Sequence, residues 1–137
     1  MFERVFNKMA GYYVNKICRV AQQKINEKDV PRYAGVYVIY SKNKPLYVGR
    51  SINLYRRFVH QHLSKRNDVA ASSFRMHLLM SKRVAAYKEA RQWILKNCTV
   101  KFVKTDNYDD AVLLEALLIK LWRKKYHLLN DNKDDGR

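Results

Sequence analysis

Apolar residues recur at three- and four-residue steps from Val5 through Met9, Tyr12, Tyr13, Ile17 and Val20 to Ile25, with no proline among them. That spacing predicts a helix over 2–27. The polar run Asn26-Glu27-Lys28-Asp29, followed by Pro31, ends it. Gly35 to Tyr40 is β-branched and aromatic and predicts a strand. Ser41 to Pro45 reads as a turn and Leu46-Tyr47-Val48 as the start of a second strand, giving a β-hairpin. Ser51 is placed to cap a helix over 52–63, with Leu54, Tyr55, Phe58, Val59 and His62 as its inner stripe. Arg56, Arg57, His60 and Gln61 fall on the opposite side. After a polar stretch at 64–72, Phe74–Met80 and Val84–Leu95 predict two helices separated near Ser81-Lys82. Thr99–Lys104 alternates as a third strand, and Asp109 or Asp110 opens a last helix running to about Tyr126. Residues 131–137 read as a mobile polar tail. The chain divides into an N-terminal helical extension (1–30) and a small α+β domain (31–130), with no internal repeat.

Length and composition narrow what such a domain does. The chain has 137 residues, with 28 Lys+Arg against 12 Asp+Glu, a formal net charge of +16. Hydrophobic types make up 47%, enough for one packed core and too many for general disorder. No apolar run approaches the roughly 18 residues of a membrane span, and no signal-peptide core opens the chain. A soluble, cytoplasmic protein with no membrane partner is the expectation. Cys18 and Cys98 read as reduced thiols. The charge attracts polyanions at long range and makes nucleic acid the expected partner, since phosphate neutralisation releases counterions. Simple solubility, or contact with an anionic membrane, is the blander account of the same charge.

Chemistry concentrates at a few positions. The last helix reads A-V-L-L-E-A-L-L-I-K-L-W from Ala111 to Trp122, apolar on nearly every side, and Glu115 interrupts it. Lys120 lies five positions on and is no i,i+4 partner. A carboxylate facing a core needs a cation from elsewhere, whether an Arg, a Lys or a metal. Otherwise it lies along a wet edge of the helix. With a three- or five-residue hairpin loop, odd positions oppose odd positions, so Tyr37 and Tyr47 project from one face. Gly49 directly follows the second strand and lets the backbone turn or approach something closely. Arg50 stands at the start of a helix whose N-terminus can hold a phosphate.

Gly35-Val36-Tyr37, Tyr47-Val48-Gly49 ten residues beyond Tyr37, Arg57 ten further on, and Glu115 in an apolar helix form an ordered set. This set resembles the signature of the GIY-YIG nuclease family, over about residues 32–130. The resemblance implies a three-stranded antiparallel sheet flanked by helices, with one active site. It also implies a divalent-metal-dependent endonuclease, a hydrolase of phosphodiester bonds acting on DNA first and RNA second. Carried over, Glu115 holds one Mg²⁺ or Mn²⁺, which stabilises the leaving oxygen. Arg57 clamps the scissile phosphate, and Tyr37 or Tyr47 orients or deprotonates the attacking water. Arg50, Arg56 and Asn130 are expected to contact nucleic acid, with Arg50 also lowering a tyrosine pKa. Four residues after its signature arginine the family usually has His or Tyr, and this chain has Gln61. His62 faces inward on the assumed helix phase and His60 outward, so His60 is expected to replace it in catalysis.

Zinc is disfavoured, because His60 and His62 diverge on a helix and neither cysteine has ligand spacing. Asp106, Asp109 and Asp110 read as helix-start residues. Two other functions fit the composition: a non-catalytic nucleic-acid-binding module, or a structural member of a ribonucleoprotein docked through the N-terminal helix. A duplex cut on both strands, with one site per chain, favours a homodimer.

Overall fold

A computed structural model describes residues 2–65 and 72–131. Helix α1 spans Phe2–Arg19 and strand β1 Gln23–Lys24. Strands β2 (Gly35–Ser41) and β3 (Lys44–Ser51) form the hairpin. Helix α2 (Leu54–Arg57) continues as a π-helical turn over Phe58–His62. Helices α3 (Ser73–Met80) and α4 (Ala90–Asn97), strand β4 (Cys98–Lys104) and helix α5 (Tyr108–Trp122) follow. Single 3₁₀ turns lie at Glu27–Asp29, Tyr87–Glu89 and Leu129–Asp131.

The fold is α+β, as the pattern predicts, but the sheet has four antiparallel strands in the order β1-β4-β2-β3. The added strand comes from the predicted first helix. That helix ends at Arg19, and Gln23 and Lys24 pair with Val100 and Thr99 instead. A free edge on β4 competes with helix continuation there and wins. The second helix predicted after α3 is also shorter, because Val84–Ala86 are not helical and a 3₁₀ turn precedes α4. The 66–71 part of the polar stretch, and 132–137 of the expected tail, lie outside the described residues.

The hairpin turn is tighter than expected. Lys42 and Asn43 carry φ of 54° and 64°, a two-residue turn of the kind that matches strand twist. Such a turn alone would set odd positions opposite even ones. An irregularity beside Ile39/Tyr40 leaves Leu46 as the extra residue of β3, and beyond it Ile39 pairs with Tyr47 and Tyr37 with Gly49. Tyr37 and Tyr47 therefore share a face, by a bulge instead of a longer loop.

The sheet separates two apolar layers. Tyr37, Ile39, Tyr47, Val100 and Phe102 pack with Leu54, Phe58, Phe74, Leu78 and Ile94 from α2, α3 and α4. On the other side Val36, Val38, Val48 and Val103 meet Ala111, Leu114 and Leu118 of α5 and Ile17 of α1. Helix α5 is not enclosed all round, since Leu113 and Leu121 are 49% and 42% exposed. Both candidate layers end at β3, the outer strand. Asn130 closes that edge: its Oδ1 accepts the Val48 amide at 2.9 Å and its Nδ2 donates to the Val48 carbonyl at 2.8 Å.

Candidate active site

Tyr37 lies at the centre of the site, 2% exposed, between β3 and the π-turn. Its cross-strand partner is Gly49, inside β3 and not after it. A Cβ at Gly49 would stand 2.1 Å from Tyr37 Cζ and 2.2 Å from its hydroxyl oxygen. The glycine is therefore the space in which the phenol lies. Phe58 supports the ring edge-on at 5.4 Å.

The Tyr37 hydroxyl meets His62 Nε2 at 2.5 Å, and His62 Nδ1 meets Ser72 Oγ at 2.5 Å. Ser72 is also the N-cap of α3, its Oγ accepting the Arg75 amide at 3.1 Å. His62 reaches Tyr37 because of the π-turn, in which the Leu63 amide bonds to the Phe58 carbonyl at 2.9 Å. That turn holds one residue more than an α-helical one. The fifth residue after Arg57 thus takes the direction that the fourth has in an α-helix. His60 is exposed and its ring lies edge-on to Tyr55 at 5.7 Å, so it does not join the cluster. The structure sets His60, the expected replacement for the family's His or Tyr, against Tyr55 and brings His62 to Tyr37 instead.

Gln61 has a different task. Its Oε1 accepts from Arg57 Nη1 at 2.8 Å, a helical i,i+4 pair that holds the guanidinium. Tyr47 shares a hydrogen bond of 2.9 Å with Ser73 Oγ. Glu115 Oε1 accepts from Arg50 Nη1 at 2.5 Å, and Arg50 Nε donates to the Tyr108 hydroxyl at 3.0 Å. The Glu115 side chain is 16% exposed, so it stands at the rim of the core and meets its cation there. Arg56 is exposed, and Asn130 is engaged at both ends by Val48. In this structure the side-chain amide of Asn130, the residue expected to contact nucleic acid, is bonded to the Val48 backbone.

Burial pushes the Tyr37 phenol well above the ordinary tyrosine value, with the Tyr47 and Glu115 charges adding and Arg57 and Arg50 opposing. Tyr47 is raised for the same first reason, against its Ser73 hydrogen bond and the two arginines. Burial also raises the Glu115 carboxyl, with Arg50 and then Arg57 pulling it back. His62 is fully buried and falls to about 3, through desolvation first and the Arg57 and Arg75 charges second. It is a neutral imidazole at every physiological pH, one nitrogen donating and the other accepting. With Tyr37 donating to Nε2, Nδ1–H donates to Ser72, whose two lone pairs then take His62 and the Arg75 amide.

Arg75 lies beneath this array, 1% exposed. Its guanidinium donates to the Ser64 and Tyr87 carbonyls at 2.7 and 3.2 Å and covers the Tyr87 ring at 4.3 Å. Ser72, Ser73 and Tyr108 carry no local sequence signal for these roles. His62 had one, a polar residue on an apolar stripe.

The GIY-YIG catalytic domain profile matches residues 33–127, which is most of the chain. The chain belongs to the GIY-YIG catalytic domain family. Over 111 residues it is 32% identical to UvrABC system protein C of Fusobacterium nucleatum, a match covering 80% of this chain and 15% of that protein. The same named protein from Helicobacter pylori is 32% identical over 111 residues, 77% of this chain and 16% of the relative. That from Rickettsia bellii is 29% identical over 107 residues, 77% and 14%. The match thus spans only 14–16% of the length of these curated relatives. Family and relatives together support a nuclease. Both signature tyrosines, the arginine and the glutamate are present, on the hairpin, α2 and α5.

No described helix is long and apolar enough to cross a membrane. Cys18 and Cys98 are free thiols, and burial pushes Cys98 up to about 12, which suits a packing role.

Proposed function

We propose that this GIY-YIG domain is a divalent-metal-dependent endonuclease that hydrolyses phosphodiester bonds, with DNA as its first substrate. The observation that carries this reading is the convergence of four intact signature groups. Arg57 and Glu115 both act electrostatically on Tyr37 and on Tyr47.

The donor chemistry suits Mg²⁺ or Mn²⁺. Glu115 offers hard carboxylate oxygens, and no group of three or more His, Cys, Asp or Glu lies together among the described residues. One carboxylate fits an ion that keeps several of its waters, as Mg²⁺ does, and does not fit a zinc site. When bound, such an ion neutralises charge on the phosphate and on the leaving oxygen. The remaining work falls to the chain. Arg57, held by Gln61, pairs with the scissile phosphate. Tyr37 turns its proton to His62 and presents an oxygen lone pair to the attacking water. The phenol is protonated at rest, and positive charge at the site stabilises its ionised form. Compensating Glu115 removes one of the charges that hold both tyrosines up.

The test is nicking of supercoiled plasmid with Mg²⁺, Mn²⁺ or EDTA, wild type beside Glu115→Gln. The expected outcome is metal-dependent nicking, abolished in the variant while salt-sensitive binding survives. Binding without cleavage by either protein, on plasmid, RNA and branched substrates alike, identifies a non-catalytic nucleic-acid-binding module. Linear product that rises with the square of protein concentration marks two protomers acting on one duplex.

A further inference from the structure

Away from the catalytic residues, two adjoining clefts share Arg83 and Trp93. One runs along the face of α4 and the other passes under the hairpin turn to the segment after α5. Their walls carry Lys42, Lys44, Arg83, Lys88, Lys96 and Lys125, all exposed. The one carboxylate is Glu89, and its Oε1 is occupied by the Ala86 amide at 2.8 Å. Six fixed cations to one carboxylate exceeds the 28 to 12 of the whole chain, so the groove is more basic than the protein's general surplus explains. Two half-buried aromatic side chains, Trp93 and Tyr126, lie among these cations. The groove borders the hairpin strand that carries Tyr47. Leu46 directly precedes Tyr47, and the segment after His127 is fastened to Val48 by Asn130.

We propose that this groove binds a single-stranded nucleic-acid segment flanking the bond cut at the Tyr37–Glu115 site. The proposal rests on the nucleic-acid substrate assigned above and adds the strand state and the surface that holds it. Lysines spaced along a channel neutralise successive phosphates, and aromatic faces stack bases without regard to sequence. An acidic protein segment would satisfy the lysines but leave Trp93 and Tyr126 unused. A rigid duplex keeps its bases stacked within itself and likewise offers them nothing.

The experiment uses the full chain in EDTA, so that binding is read without cleavage. A Trp122→Phe background leaves Trp93 as the single tryptophan. A fluorescein-labelled oligothymidine is followed by anisotropy, and the unlabelled strand by Trp93 emission. The expected result is quenching of Trp93 by the oligonucleotide and not by polyphosphate of equal charge. Lys88→Gln/Lys96→Gln is expected to weaken binding several-fold and to lower the log–log salt slope by about 1.4, from about 0.7 for each lost phosphate contact. Unchanged Trp93 emission on binding, equal quenching by polyphosphate, or a salt slope unaltered in the lysine variant overturns the proposal. Absence of nicking with Trp93 still quenched would instead remove the nuclease reading and leave the groove as a surface that binds single strands without a cut beside it.

Discussion

Replacing Gly49 by alanine tests the centre of the site with one methyl group. The added Cβ would lie 2.1 Å from Tyr37 Cζ and 2.6 Å from Cε1, in a buried pair with no flexible side-chain end to give way. Carbon atoms at rest stand about 3.5–4.0 Å apart, so the ring tip must move by more than 1 Å or the strands must separate. Overpacking of this kind costs about 1–3 kcal/mol. Displacing the phenol also breaks its hydrogen bond to buried His62, adding about 1–3 kcal/mol for a stranded partner. Stability is expected to fall by about 2–6 kcal/mol by these two effects, read as a lower urea midpoint. A reacting group misplaced by about 1 Å loses on the order of 10²-fold in rate, so nicking under conditions where the variant stays folded is expected to drop by that factor. A double-mutant cycle isolates the cause. Tyr37→Leu removes the atoms that clash, and Gly49→Ala in that background is expected to cost little further stability. The reasoning is refuted if Gly49→Ala alone leaves both midpoint and nicking rate at wild-type values, or if its cost persists undiminished beside Tyr37→Leu.

Other consequences follow from the same geometry. The unfolded chain protonates His62 near pH 6.5 while the folded protein resists until about pH 3, so between these values unfolding takes up a proton. Stability is expected to fall as pH drops through that window, by about 1.4 kcal/mol per unit from this group, and denaturation of His62→Gln beside wild type isolates that share. Arg50→Ala removes the larger of the two charges that pull the Glu115 carboxyl down, so its titration in ¹³C NMR is expected to move to higher pH; a downward movement contradicts the ion pair. Asn130→Ala strips partners from both Val48 backbone groups and is expected to cost about 1–2 kcal/mol, with faster hydrogen exchange at the Val48 amide.

Much of this architecture follows from local rules. A β-branched and aromatic run places β2, period-two alternation places β4, and the apolar stripe of 54–62 places the layer beneath Tyr37. The Tyr37–Tyr47 pairing is legible too, although by compensation, since a two-residue turn and the Leu46 bulge together restore the parity that a longer loop would give. What stays hidden depends on partners distant in sequence. Gln23 and Lys24 become strand because β4 has an open edge, which no window of eleven to eighteen residues contains. Asn130 is taken up by Val48 because β3 is the outer strand, and a search for polar residues near a signature cannot distinguish an edge clamp from a ligand.

The histidines show why the candidate site is legible in outline and not in detail. A 3.6-residue phase puts His62 among the apolar side chains, and there a polar group with a distant partner is indistinguishable from a core histidine. The same phase puts His60 beside Arg57, where its chemistry looks useful. One π-turn decides between them: it adds a residue, aims His62 at Tyr37 and leaves His60 against Tyr55. The cause is long-range, because His62 is fixed by Tyr37 from β2 and Ser72 at the cap of α3, two groups separated by 35 residues. A buried imidazole without those two partners would cost several kcal/mol, and the helix yields its regular geometry to keep them. Local propensity sets where the helix begins, and the hydrogen-bonding needs of one buried side chain set how it ends.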